Sequence, residues 1–211
     1  MNTSSLPAAS AAARGPASTP TPQPLGTWPN LVTLVRTVLA VAVGSAAVAR
    51  ADLGLLAAAY AIYWVGDVAD GWLARRLDQE TRAGAVFDII GDRACTVLLC
   101  AGLLAARPDA WLVVALFLVS FAVVDTMLSL SFLPWDLLGP NDFHRVDRAV
   151  WLLNWSPVAK ASNTAGVTVL VLFGAYSAAL VLALAILGVK VWSGARVASL
   201  LAAPPSRGAS G

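Results

Sequence analysis

Residues 53–106 read LGLLAAAYAIYWVGDVADGWLARRLDQETRAGAVFDIIGDRACTVLLCAGLLAA. Two apolar runs, Leu53–Leu73 and Ala85–Ala106, flank a short polar turn around Leu77–Arg82. Each run is long enough to cross a bilayer as a helix, which takes about 20 residues. Asp67 and Asp70 lie in the first run, Asp88 and Asp92 in the second. An acid inside a membrane span costs about 2.5–3.5 kcal/mol on insertion scales, so each marks a functional position. Asp67 and Asp70 are three residues apart and Asp88 and Asp92 four, which puts each pair on one face of its helix. The two pairs are nearly equidistant from the turn. In an antiparallel hairpin they therefore reach the same depth, and the spacing predicts four carboxylates converging near one end of the helix pair.

The rest of the chain supports a membrane setting. Of 211 residues, 58% are hydrophobic and 12% charged, with mean hydropathy +0.74; soluble domains carry roughly 25% charged residues. Further apolar stretches at Leu31–Ala49, Ala110–Leu133, Ser162–Ala178 and Ala179–Leu200 bring the expected total to about six transmembrane helices in an all-α protein. The last two stretches run together through Gly174, Tyr176 and Ser177, and Trp151–Val158 reads as a possible interfacial helix. Residues 1–26 and 204–211, rich in Ala, Ser, Thr and Pro, are too poor in bulky apolar side chains to offset the entropy of ordering and are expected to be disordered tails around a 27–203 domain. Residues 1–26 also lack the charged start and continuous apolar run of a signal peptide.

Arg75, Arg76 and Arg82 follow the second run, Arg145, Arg148 and Lys160 lie between the fourth and fifth, and Arg207 is in the final tail; the opposite side has Arg50 and Arg107, each beside an aspartate. The positive-inside rule then predicts cytoplasmic N- and C-termini and a site on the cytoplasmic side. Lys190 and Arg196, in the cytoplasmic half of the last span, are expected to snorkel to the headgroups. Six of the eight tryptophans (Trp28, Trp72, Trp111, Trp135, Trp151, Trp155) fall near predicted interfaces, as an aromatic belt does. Cys95 and Cys100 share one apolar run and read as small core residues. The net charge of +2 gives no electrostatic support for a nucleic-acid partner. A composition rich in Ala, Leu, Val and Arg and poor in Lys points to a bacterium, and so to the cytoplasmic membrane of one.

Four carboxylates at that proximity need counter-charge, because like charges raise one another's pKa. Arg75 and Arg93 are the expected suppliers of part of it. An all-oxygen donor set suits hard divalent cations such as Mg²⁺ or Mn²⁺, and two such ions about 3.5–4 Å apart form a clamp for phosphoryl chemistry. Gly71 follows Asp70 directly and Gly84 precedes Asp88 by four positions, where a missing side chain lets a ligand or a neighbouring helix approach closely.

The pattern Asp67-x-x-Asp70-Gly71-x-x-Ala74-Arg75, eight residues, Gly84-x-x-x-Asp88-x-x-x-Asp92 resembles the signature of the CDP-alcohol phosphatidyltransferases at every fixed position. The Pro29-Asn30-x-x-Thr33-x-x-Arg36 stretch looks like that family's entry segment. The resemblance implies transfer of a substituted phosphate from a CDP-linked donor, such as CDP-diacylglycerol, to an alcohol with release of CMP. It implies that Asp67, Asp70 and Asp88 are the principal metal ligands. By the same resemblance Asp92 is the general base and touches a second metal, and Gly71, Arg75 and Thr81 contact the donor, with Asn30 and Thr33 as weaker candidates. Members of that family often form homodimers.

The acceptor alcohol is not written in the signature, which reads the shared CDP end of the donor. Lys160, Arg145 and Arg148 are candidates for holding a phosphate-bearing acceptor, with His144 beside them; the arginines serve equally as topology residues. Glycerol 3-phosphate is the first choice, with inositol phosphate, phosphatidylglycerol (giving cardiolipin) and serine as alternatives. A metal or proton transporter is the rival from another class, but transport favours acids at the midplane of several spans, and here only Asp125 lies deep in a span outside the hairpin. A catalytically silent scaffold is the third reading.

Overall fold

The computed structural model describes residues 24–202; residues 1–23 and 203–211, with most of the expected tails, lie outside them. Among the described residues the regular structure is all helix, without a strand. We number the helices α1 (Trp28–Arg50), α2 (Leu53–Arg76), α3 (Arg82–Ala106), α4 (Pro108–Leu130), α5 (Arg148–Asn154), α6 (residues 157–172) and α7 (Tyr176–Ala202). Five of these, α1, α2, α3, α4 and α7, are long and apolar enough to cross a membrane.

Polar side chains set the helix starts. Thr27, Asp52, Thr81, Asp147 and Ser156 each accept a backbone N–H from the first turn of the helix that follows. The turn between α6 and α7 corrects the expected boundary between the last two stretches. It falls at residues 173–175, where Gly174 has φ +72°, a left-handed backbone that glycine adopts without penalty. The α6 segment is consequently shorter than a full span, starts earlier than Ser162, and contains a π-helical turn at Ser162–Gly166. The segment expected as an interfacial helix forms α5, which begins three residues before Trp151.

Two apolar clusters mark the ends of the bundle. One gathers Ala47, Leu56, Leu103, Val114, Phe117, Val171 and Ala183, and so joins the end of α1, the start of α2 and the end of α3 to α4, α6 and α7. The other joins Ile89 near the start of α3 to Leu128 of α4, Phe132, Phe143, Val150 and Val197 near the end of α7. The α2–α3 turn, the loop 131–147 and α5 therefore lie at one end. Arg82 ties them together by donating to the carbonyls of Leu133 and Trp135, the latter at 2.8 Å. Asp147 caps α5 and accepts from Arg196 of α7 at 3.0 Å. Burial pushes the Asp147 carboxyl up, but the Val150 amide and Arg196 outweigh it and hold the group below the usual carboxylate range.

The outer surface is as apolar as the core: Leu34, Val38, Trp64, Val68, Ile90 and Val97 are all exposed. Such a surface fits lipid as its solvent, where burial of apolar area no longer drives helix association and close packing takes over. Small residues provide that packing. A Cβ on Gly44 would stand 2.9 Å from Leu98, and one on Gly91 2.8 Å from the Thr37 hydroxyl.

Candidate active site

The four aspartates converge, and they do so on a residue of a third helix. Arg36 of α1 is 3% exposed. Its Nε donates to Asp70 Oδ2 at 2.8 Å, and its Nη2 donates to Asp67 Oδ1 at 3.3 Å, to Asp92 Oδ1 at 3.1 Å and to Asp88 Oδ1. The main counter-charge thus comes from Arg36, while of the two expected suppliers Arg93 is close enough for its charge to act on Asp92 and Arg75, among the described residues, pairs with none of the four. Arg75 is exposed and folds back along its own helix, its guanidinium 3.5 Å from where a Gly71 Cβ would stand. Arg93 points to the other side of α3 and pairs with Asp125 at 2.6 Å.

The reason Arg36 reaches so far lies in α2. A Cβ on Gly66 would fall 2.6 Å from Arg36 Cδ and 3.0 Å from its Cγ, and would also overlap its Cβ. Glycine there lets α1 and α2 approach until the arginine stem fits between them. The guanidinium carbon also lies 5.4 Å from the centre of the Tyr63 ring, a cation–π distance. Gly66→Ala is expected to destabilise the protein by about 1–3 kcal/mol, as overpacking does, because the first atom it meets is the Arg36 Cβ rather than a mobile tip. The midpoint of thermal unfolding in detergent checks this.

The carboxylates differ in setting. The Asp70 side chain is only 6% exposed and accepts from the Thr33 hydroxyl at 2.7 Å as well as from Arg36. Asp67 and Asp88 are each 38% exposed and face the opening of the site, and Asp92 is intermediate at 21%. Asp67, Asp70 and Asp88 bring carboxylate oxygens within 4.8 Å of one another. Hard oxygen donors in that number and proximity fit Mg²⁺ or Mn²⁺. Asp92 stands beside this group of three and meets it through Arg36.

The other expected contacts divide. Thr33 supports Asp70, as above. Thr81 is engaged as the cap of α3, accepting from the Gly84 amide at 2.9 Å, and also lines a depression of about 640 Å³ between the start of α1 and the α2–α3 turn. Asn30 donates to the Leu25 carbonyl at 2.9 Å, and a Cβ on Gly84 would stand 2.9 Å from its Oδ1. Gly84 therefore serves the α1–α3 contact. Lys160 donates to Asn141 at 3.0 Å and lies close enough for its charge to act on Asp67. Arg145 and Arg148 are exposed on the loop and at the start of α5, and neither is among the ion-pair partners that the described residues offer the carboxylates.

A second ionic cluster lies behind the site. Asp125 accepts from Arg93 and also from Lys190 of α7, which is 2% exposed. Arg93 further donates to Thr126 at 2.7 Å and stands 4.0 Å from the Phe121 ring centre. Lys190 therefore does not snorkel, because an interior carboxylate on α4 reaches it first. Arg196 pairs with Asp147 and remains half exposed.

Arg36 is the site residue that sequence reasoning missed. It stands in the Pro29–Arg36 entry stretch, but no spacing rule relates one arginine on α1 to two aspartate pairs on α2 and α3. Its available signal was being the only ionisable residue inside the first apolar run. With this geometry in place, a comparison with protein families finds that the model described as CDP-alcohol phosphatidyltransferase matches residues 26–194. The searches of curated proteins and of solved structures find no match.

Proposed function

Since the chain belongs to the CDP-alcohol phosphatidyltransferase family and is a transferase of substituted phosphate groups, we propose that it transfers a phosphatidyl group from CDP-diacylglycerol to glycerol 3-phosphate at the cytoplasmic face of a bacterial membrane. The observation that carries this reading is the convergence of four carboxylates from α2 and α3 at the end of the bundle where Lys160 and the basic loop lie. A donor with two acyl chains enters such a site sideways from lipid while its nucleotide stays in water near Thr81 and Arg75.

Asp67, Asp70 and Asp88 are the residues to hold divalent ions. Bound there, such ions neutralise the donor pyrophosphate and make CMP a better leaving group. Asp92 takes the proton from the acceptor hydroxyl. The acceptor oxygen attacks the phosphorus that carries the diacylglycerol, and the bond from that phosphorus to the CMP oxygen breaks with its electron pair leaving on CMP. Thr33 and Arg36 keep Asp70 in place throughout, and Lys160 offers a charge to the acceptor phosphate.

The test is CMP release by the purified protein in detergent, with CDP-diacylglycerol, Mn²⁺ and radiolabelled acceptors supplied one at a time. Release with glycerol 3-phosphate, and its loss on adding EDTA, is the expected result. Release only with inositol phosphate, phosphatidylglycerol or serine reassigns the acceptor, and none with any acceptor removes the proposal.

A further inference from the structure

We propose that Arg36 is a resident counter-cation of the carboxylate site, which holds the four aspartates together before a divalent ion enters and then competes with that ion for them. The inference deepens the proposed function and rests on its assignment of Asp67, Asp70 and Asp88 as ion ligands. One guanidinium engages all four carboxylates: Asp70 through Nε at 2.8 Å, and Asp67, Asp92 and Asp88 through Nη2. The three aspartates that bring oxygens within 4.8 Å of one another are all among its partners.

Two properties make Arg36 a competitor rather than a bystander. A guanidinium stays charged in proteins, so it does not become neutral when a second cation arrives. Nor is it free to swing out to water: its stem is packed on Gly66 and its head lies over Tyr63. An ion held by the same carboxylates therefore shares a small, partly buried volume with a fixed positive charge, and the two repel. The unloaded site needs Arg36 for the opposite reason, since four carboxylates at this proximity disfavour one another's charge. Among the described residues the buried Arg36 Nη1 has no hydrogen-bond partner, so the four-carboxylate grip leaves part of the guanidinium unsatisfied. That is an incomplete arrangement for a purely structural arginine.

Coupling between two cations at one site is reciprocal. Removing Arg36 should tighten ion binding and also make stability depend on the ion. The experiment is Mn²⁺ binding by the full-length protein in detergent, read from the free-ion signal in electron paramagnetic resonance, together with thermal unfolding midpoints in EDTA and in Mn²⁺. Arg36→Met is expected to bind Mn²⁺ at least tenfold tighter than wild type. Its midpoint in EDTA should fall below wild type, and Mn²⁺ should raise it by more than it raises wild type.

Arg36→Lys keeps one charge without the fork that spans four carboxylates, and is expected to bind Mn²⁺ about threefold tighter. It decides the question if Arg36→Met does not fold even with Mn²⁺ present throughout purification. Unchanged or weaker binding in the variant that folds, or equal midpoint shifts in variant and wild type, overturns the competition. Absence of saturable Mn²⁺ binding in wild type overturns the ligand assignment itself. Binding in wild type that Arg36 does not influence overturns this inference alone.

Discussion

Asp125→Ala should lose about 3–5 kcal/mol of stability, the cost of removing one partner from a buried ionic group. The size follows from what is left behind. Asp125 uses one oxygen for Arg93 at 2.6 Å and the other for Lys190. The Arg93 side chain is 14% exposed and that of Lys190 is 3% exposed. Without the carboxylate, two interior cations face each other with no anion between them, and in a lipid-facing bundle neither has water at hand. The midpoint of thermal unfolding in detergent is the measurement. Asp125→Leu combined with Lys190→Met and Arg93→Met should recover much of the loss, because a buried ionic group replaced whole by well-packed apolar groups is often neutral. If Asp125→Ala unfolds at the wild-type midpoint, the cluster is not a structural lock between α3, α4 and α7.

Asp88→Asn and Asp92→Asn should each abolish most CMP release while leaving the fold intact, and they should do so differently. Both changes are isosteric and relieve like-charge repulsion, so stability should hold or rise slightly. Asp88 belongs to the group of three that brings oxygens together, and its amide should weaken Mn²⁺ binding along with a loss of turnover of about 10²–10³-fold, on the scale of lost electrostatic stabilisation. Asp92→Asn leaves that group complete. It should retain Mn²⁺ binding and lower kcat by about 10²–10⁴-fold, the contribution of a positioned general base. Measured together, turnover and ion binding separate the two roles. Wild-type turnover in Asp92→Asn would remove it as the base, and loss of folded protein in both would favour a packing role for the cluster.

The contrast between these two pairs of experiments shows how unevenly the molecule was legible. Asp67, Asp70, Asp88 and Asp92 were readable because their partners are local: helix periodicity and one short turn fix their depth and facing. The same holds for α1 to α4, whose apolar runs are each about one bilayer long. The boundary between α6 and α7 was not readable, because the apolar run passes through Gly174 without a break and only the backbone at φ +72° ends the helix.

Lys190 shows the other limit. From sequence it is a basic residue in the cytoplasmic half of the last span, where snorkelling to the headgroups is the expectation. Whether an acid on another helix can reach it depends on how α4 and α7 pack, and Asp125 is 65 residues away in the chain. Arg36 is the same case at the site: its bonds span separations of 31 to 56 residues. By itself, the sequence determined that this chain lives in lipid, that its second and third helices form a hairpin, and that the hairpin carries four converging carboxylates with the signature of its family. Only the tertiary structure decided which cations answer those acids. Charge pairing acts through space over a few ångströms, and only packing contacts such as that of Gly66 with the Arg36 stem determine which distant residue occupies that space.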